Sequence, residues 1–553
     1  MTSSVNAAPS RHPKEQPDVS VIVDAVNSVH QIGACLDSVL AQCEEGLRVE
    51  VLAFDRGSGD GTREVLRQWA AQHPSLVRFA ALPPSESPAE GRNLGIEQST
   101  GRHLFFLSGT DRLAPGALTR MVHSADEHDA DVVLGKVEGL DGQKVGSSMF
   151  ARGSADADVF ASRVYWSLST DKLFRRTLVE RCSLRFPADW RLGEEQVFTA
   201  LAYLYADRVA VVADMVCVQQ AKRVAGINVS GYAGSLPDRT ALARRLTAMV
   251  AERVQPGPAR DHLMARHFEI ELAKATGTAY RGCEDPETRW RAMSECRELL
   301  EAYATPAVFR KLPRPLTVRL ELIRQGRFAE AERLIAFELD KEKAELLIEG
   351  GRVFRRFPFF RDPEVGLPDE FFEVTHTLRA KHRLNKLNWT GTTLNLVGHG
   401  YIEQLPTRAP GVQVVLRERR SGDERRFRAY STPTPKLNAA TRAERGLAGF
   451  EARLDLSAAD GHHPIPPGLW DVFLNVRYQG VGKEVRFGGV RAESVQDGTR
   501  QGVVVGPPDA TGLETVAHLY ATKAGNLTVE VSSRRPLPDT GTAHMTPHVP
   551  RHM

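Results

Sequence analysis

Residues 49–62 read VEVLAFDRGSGDGT: a short, β-branched and apolar run, Val49 to Phe54, that ends in an acidic, glycine-rich turn, Asp55 to Thr62. Such a run, with no polar alternation, is the pattern of a strand buried on both faces of a parallel sheet. Working upstream, IGACLDSVLAQC sets Ile32, Cys35, Leu36, Val39 and Leu40 at helical spacing, and VSVIVDAV (Val19 to Val26) is a second buried strand, so the three segments make a βαβ unit. Downstream the alternation continues. DGTREVLRQWAAQH reads as a helix capped by Asp60 or Thr62, VRFAAL as a strand, GRNLGIEQST as a helix and HLFFLS as a strand. ADVVLGKVEG, the helix-like TDKLFRRTLVERC, the helix EEQVFTALAYLYA and the strand RVAVVADMVCV complete it. Strand alternating with helix predicts a doubly wound α/β domain over residues 18–235, after a disordered lead-in at 1–17.

Beyond this domain the periodicity changes twice. Residues 236–349 carry amphipathic stretches divided by prolines and predict a helical region, followed by a linker at 350–369. From 370 to 532 short alternating runs such as TTLNLVGHGYI, VQVVLRERR, FEARLDL and LWDVFLNVRY are separated by turn chemistry, which predicts a β-sandwich. Residues 533–553, rich in Pro, Thr and His, read as a disordered tail. The 553 residues exceed what one core can organise. Lys plus Arg number 72 against 69 Asp plus Glu, a net of +3, so no global field draws the chain to nucleic acid and any anion binding must be local. No stretch has the unbroken apolar length of a membrane span, and the first residues lack the apolar core of a signal peptide, so a cytoplasmic protein is expected. Six scattered cysteines without metal-ligand spacing fit reduced thiols.

The turn at 55–62 lies where a parallel sheet presents its carboxyl edge, the place at which such sheets bind ligands. Asp55 there can accept from the imide N–H of a nucleobase, and the surrounding glycines let backbone approach a nucleotide; a purely structural strand-to-helix turn has the same composition. Order and spacing add what the turn lacks. VSVIVDAVNS, CLDSVLAQ, VEVLAFDRGSGDGT, GRNLGI and TGRHLFFLSGTDRLAPGAL, in that sequence, resemble the inverting family 2 glycosyltransferases of GT-A fold, whose blocks read VSVIVPVYN, VDDGSTDGT, ARNxG and FLDSDDxLxPxAL. The resemblance covers residues 18–235. It implies a Rossmann-like GT-A catalytic domain, a nucleotide-sugar donor with UDP the expected nucleotide, and a donor site containing Asn27, Asp55, Arg92 and Asn93, with Arg56 where the family has a second acid.

At the family's DXD position, which holds a divalent ion on the donor's diphosphate, stand Ser108, Gly109, Thr110 and Asp111. Asp111 alone is a weak ligand for Mg²⁺ or Mn²⁺, so the resemblance leaves either a poor metal site or none. RFPADWRLGEEQVF resembles the family's block bearing the catalytic carboxylate. It implies Glu195 as the base that takes the acceptor's proton, with Glu194 orienting it. CVQQAKRVAGINVSG stands at the donor-site flap, where Lys222 and Arg223 are the candidates to meet the diphosphate. The helical region and β-sandwich resemble bacterial enzymes that decorate wall teichoic acid and related polyol-phosphate polymers. That resemblance implies an anionic polymer or glycan acceptor, contact with the inner face of the membrane, and a β-domain that mediates oligomerisation or polymer contact. The arginine-rich hairpin RERRSGDERRFR is suited to a polyanion, although a solvated charged edge has the same make-up. Transfer of a sugar to a cell-envelope polymer is the expected function; the alternative is a non-catalytic GT-A relative that binds nucleotide or carbohydrate as a scaffold.

Overall fold

The β-branched runs form strands because each is covered on both sides by helices whose apolar stripes face it. In the computed structural model, β1 (Val19–Ala25), β2 (Val49–Asp55), β3 (Val77–Ala81) and β4 (His103–Ser108) are parallel, linked by α1 (Ile32–Cys43), α2 (Thr62–Gln72) and α3 (Ala89–Gln98). β5 (Arg112–Leu113), α4 (Ala117–Glu127), β6 (Val132–Gly139), β7 (Lys172–Arg175), α5 (Arg176–Arg181), α6 (Glu194–Tyr205) and β8 (Val209–Gln220) complete the domain. The sheet order is β3-β2-β1-β4-β7-β6-β8-β5. The chain leaves β1 toward β2 and β3 and returns to β4 on the other side, so a crevice opens between the carboxyl ends of β1 and β4. Register puts Asp24 opposite Ser108 and Ala25 opposite Asp55 at that edge. The described residues are 16–43, 46–84, 87–222, 234–340, 342–406, 409–434, 446–495 and 502–535. The predicted disordered lead-in lies outside them as far as residue 15, and the predicted tail from residue 536.

Helices α7 (Leu236–Arg253), α8 (Pro258–His267), α9 (Ala273–Ala275), α10 (Thr278–Arg281), α11 (Pro286–Tyr303), α12 (Pro306–Lys311), α13 (Arg314–Arg324) and α14 (Phe328–Leu339) follow. Prolines open several of them, where the missing N–H has no intrahelical partner to lose. A π turn, Phe268–Leu272, joins α8 to α9. These helices belong to the same compact unit as the α/β domain, and a second unit starts at Lys343.

That second unit opens with a hairpin, β9 (Leu346–Glu349) and β10 (Arg352–Arg355), across the span expected to be helix end and linker. Ten strands follow: β11 (Ala380–Thr390), β12 (Thr393–Ile402), β13 (Gly411–Glu418), β14 (Glu424–Thr432), β15 (Gly449–Asp455), β16 (Gly468–Tyr478), β17 (Val481–Arg486), β18 (Val503–Gly506), β19 (Glu514–Ala521) and β20 (Leu527–Arg534). β14 pairs with β13 over Glu424–Arg428 and with β15 over Ala429–Thr432, which carries the antiparallel ladder from one half to the other. The alternating inward residues of both halves share one core, with Leu394, Leu396 and Phe450 from one side and Val414, Trp470 and Leu474 from the other. A Cβ on Gly400 would stand 2.6 Å from the Leu474 side chain, so the faces touch at that point.

Two local expectations change. TDKLFRRTLVERC begins as strand β7 between β4 and β6, and only Arg176–Arg181 is helical. The start of α2 is set by Gly61 in a left-handed conformation (φ 99°), while Asp60 accepts from the Thr62 backbone N–H at 3.0 Å.

Candidate active site

The loops after β1 and β2 are sewn together. Asn27, itself left-handed (φ 44°), donates its N–H to Ser58 Oγ at 2.9 Å and accepts from Gly59 N at 3.0 Å, while the Val29 N–H reaches Asp60 Oδ2 at 3.0 Å. Asp55 lies wholly inside this arrangement: it accepts from Ser58 N at 3.2 Å and from Arg63 Nε at 2.9 Å. Asp55 therefore braces the turn, and the groups beside it that reach solvent are Asn27, Ser58 and Arg63.

Arg56 is buried rather than open at the crevice. Its Nε donates to Asp24 Oδ1 at 2.7 Å, and both side chains are 2% exposed. The reason is electrostatic: Asp24, next to last in β1, is buried, and a carboxylate buried there requires a cation. Asn93 is likewise committed elsewhere. Its amide donates to Phe186 O at 2.8 Å and accepts from Phe186 N at 2.9 Å, fixing the segment that leads into α6.

The structure does bring Arg92, Glu194 and Glu195 together. Arg92 lies over the Phe186 ring, 5.3 Å from its centroid, and donates to Glu194 Oε1 at 3.3 Å. Burial pushes the Glu194 carboxyl up to about 7; Arg92 opposes that shift, and Glu195 and Asp24 reinforce it. Glu195 follows at the second position of α6, half-buried. The helix start is held by Gly193 (φ 83°), where an added Cβ would lie 2.3 Å from Leu242 of α7. Helix α7 thus fills the place that any side chain at 193 would need.

Asp111 is buried and accepts at Oδ1 from Ala221 N at 3.1 Å and from Thr110 Oγ1 at 3.2 Å, tying the DXD position to the end of β8. Ser108 Oγ and Thr110 Oγ1 are 3.0 Å apart. One carboxylate with an oxygen already occupied does not fit a hard divalent ion that bridges phosphates. Among the described residues no three His, Cys, Asp or Glu side chains are grouped to hold a metal. Lys222 is exposed directly after Ala221; Arg223 lies outside the described residues.

Two clusters escape the motif reading. Lys172, buried on β7, donates to Ser169 O at 2.7 Å and pairs with Asp171 Oδ1 at 3.5 Å; burial lowers its pKa, and Asp171 and Glu195 raise it. Despite burial, Lys172, Ser169 and Gln220 hold the Asp171 carboxyl below the usual range. On the helical side, Arg266 donates to Glu271 Oε2 at 2.6 Å and to Gln196 Oε1 at 3.5 Å, and His267 bridges Glu271 and the Tyr165 hydroxyl at 3.1 Å each. Lys274 is pushed down by desolvation and by Arg239, and is held up by Glu271 and Glu195. The available signals were TDK inside TDKLFRR and the paired acids of EIEL, but the spacing along the chain does not reveal that both converge on α6.

Residues 20–168 match the Glycosyl transferase family 2 family, 238–335 the Glycosyl transferase TarS linker domain, and 373–531 the TarS beta-glycosyltransferase C-terminal domain 1. The chain is 24% identical over 489 residues to a poly(ribitol-phosphate) beta-glucosyltransferase of Bacillus spizizenii, covering 86% of this chain and 72% of that protein. It is 27% identical over 276 residues to the poly(ribitol-phosphate) beta-N-acetylglucosaminyltransferase TarS of Staphylococcus aureus, an alignment covering 49% of this chain and about half (47%) of that relative. The crystal structure of S. aureus TarS superposes with a TM-score of 0.56 at 19% identity, over 94% of this chain and 85% of that one. A fragment of TarS in complex with UDP-GlcNAc gives 0.53 at 22% identity, over 64% and 98%.

Proposed function

We propose, for a chain that is a family 2 glycosyltransferase with a TarS-type linker and C-terminal domain, that it moves a sugar from a UDP-sugar to a hydroxyl of an anionic polyol-phosphate polymer, with inversion at the anomeric carbon. The observation that carries this reading is the convergence on α6: Glu194 braced by Arg92, and Glu195 beside it within electrostatic reach of Lys172 below and Lys274 on the helical side. The relatives' names supply the acceptor class and the TarS complex the donor class. The donor's base and ribose lie over Asn27 and the Ser58–Gly61 turn, with Asp55 fixing that turn from beneath. The acceptor oxygen attacks the anomeric carbon as the bond to UDP breaks; Glu195 takes the hydroxyl proton, and UDP leaves with the electron pair. Lys222, exposed two residues past the end of β8 and next to the Ala221 that bonds Asp111, is our candidate to meet the departing diphosphate.

An anionic acceptor fits the helical side. Lys274, Arg239 and Arg266 gather there among Glu271, Glu195 and Asp238, and these cations are the groups that would meet a phosphate near the attacking hydroxyl. No helix among the described residues is long and apolar enough to cross a membrane. We place the reaction at the cytoplasmic face of the membrane, with the β-domain contributing polymer contact or self-association.

Glu195→Gln tests the assignment. Removing a general base costs about 10²–10⁴-fold in rate, so transfer from a UDP-sugar should fall by that amount while the thermal shift caused by the same UDP-sugar is retained. Unchanged transfer removes Glu195 from the role; absence of a thermal shift with any nucleotide sugar at millimolar concentration removes the donor assignment.

A further inference from the structure

A cavity of about 430 Å³ lies beside the amino-terminal half of β8, away from the strand ends that carry Asp55. It exists because β8 bulges: Val212 pairs with Gly135 and Val216 with Lys136, so Ala213–Met215 swell out of the ladder. The segment around Ser154 closes one side by exchanging backbone hydrogen bonds with Val211 at 3.0 and 2.8 Å. Arg120 and Ser124 of α4 and His128 just past its end line the cavity, with Arg152, Ser154 and Asp214.

Its charges are not closed. Arg120 Nε donates to Asp214 Oδ2 at 3.2 Å, while its buried Nη1 has no hydrogen-bond partner among the described residues. Arg152 is exposed, and none of the described residues forms an ion pair with it. Two guanidinium groups face one carboxylate, and Ser124 and Ser154 add hydroxyl donors. A tetrahedral oxyanion in the cavity would offer acceptors to the exposed Arg152 guanidinium and to the part of the Arg120 side chain, 35% exposed, that Asp214 leaves open.

We propose that this cavity is a phosphate-binding site separate from the sugar-transfer centre, with Arg120 and Arg152 clamping the oxyanion and the serines completing its shell. Because the lining sets two guanidinium groups against one carboxylate, a singly charged phosphodiester matches it as well as inorganic phosphate does. The source is therefore either a phosphodiester of a polyol-phosphate chain or free phosphate.

The test uses the full chain, titrated calorimetrically with inorganic phosphate and, separately, with diglycerol phosphodiester. Arg152→Glu changes an exposed residue and should leave the melting temperature alone; Arg120→Gln is the second variant. Each is expected to weaken binding of whichever probe binds by about tenfold or more, the worth of one charge-assisted hydrogen bond, while transfer to a short acceptor stays at the wild-type rate. Tighter binding of the diester supports the chain as source, and tighter binding of inorganic phosphate supports the free ion. Failure of both probes to bind at about 20 mM, or Arg152→Glu affinity within about twofold of wild type, overturns the proposal.

Discussion

Glu194 is an acid that folding makes harder to ionise. Its unfolded pKa is near 4.5 and its folded pKa near 7, so between these values the folded chain holds more proton than the unfolded one. The stability this provides is complete below about pH 4.5 and is lost as pH rises toward 7, levelling off above it. Chemical denaturation of wild type and Glu194→Gln at several pH values should show the variant gaining on wild type across that window; a difference that does not change with pH would contradict the burial argument. The same residue marks how far motif reading reaches. GEEQVF singled out Glu194 and Glu195, which the fold sets at the start of α6 beside Arg92, because the motif is a short run of neighbours. The role of Arg56 was not legible, since its counter-ion Asp24 lies on the preceding strand and is reached only once β1 and β2 pair.

Helix α6 depends on a glycine that local propensity would not require. Gly193 combines a left-handed φ of 83° with the Leu242 side chain where a Cβ would sit. Alanine there meets both penalties, and we expect Gly193→Ala to destabilise the chain by about 2 kcal/mol or more and to reduce transfer more than UDP-sugar binding, because the shift moves the glutamates rather than the donor turn. Thermal denaturation with parallel kinetics would show it; stability within about 0.5 kcal/mol of wild type would mean that Leu242 simply moves aside. Most strands and helices of this domain were readable from β-branched runs and apolar spacing. β7 was not: KLFR alternates too briefly to distinguish strand from helix, and its place between β4 and β6 makes it a strand.

The net charge of the whole chain is only +3, so attraction of a polyanionic acceptor must come from local fields such as that around Lys274 and Arg239. Screening should act most strongly on the acceptor, whose polymer charge far exceeds that of the donor's diphosphate. Raising NaCl from about 50 mM to about 500 mM shortens the Debye length enough to raise KM for a polyol-phosphate polymer by about an order of magnitude while leaving kcat nearly level. A salt-independent KM would argue for a neutral acceptor. The arginine-rich hairpin contributes less to such a field than its composition suggests: Arg417 pairs with Glu424 and Glu484, Arg419 with Asp471, Arg425 with Asp460 and Arg426 with Glu424. From residue order alone came the succession of α/β, helical and β-rich regions and the position of the glutamate pair. Both are properties of short windows, in which side-chain period and motif spacing are written directly into the chain. Which polar groups remain open was settled by folding: Asp24 pairs with Arg56, Asn93 bonds the Phe186 backbone, and the hairpin arginines pair with nearby acids. Most of those partners are distant in sequence, and only strand register and packing bring their atoms within hydrogen-bonding distance.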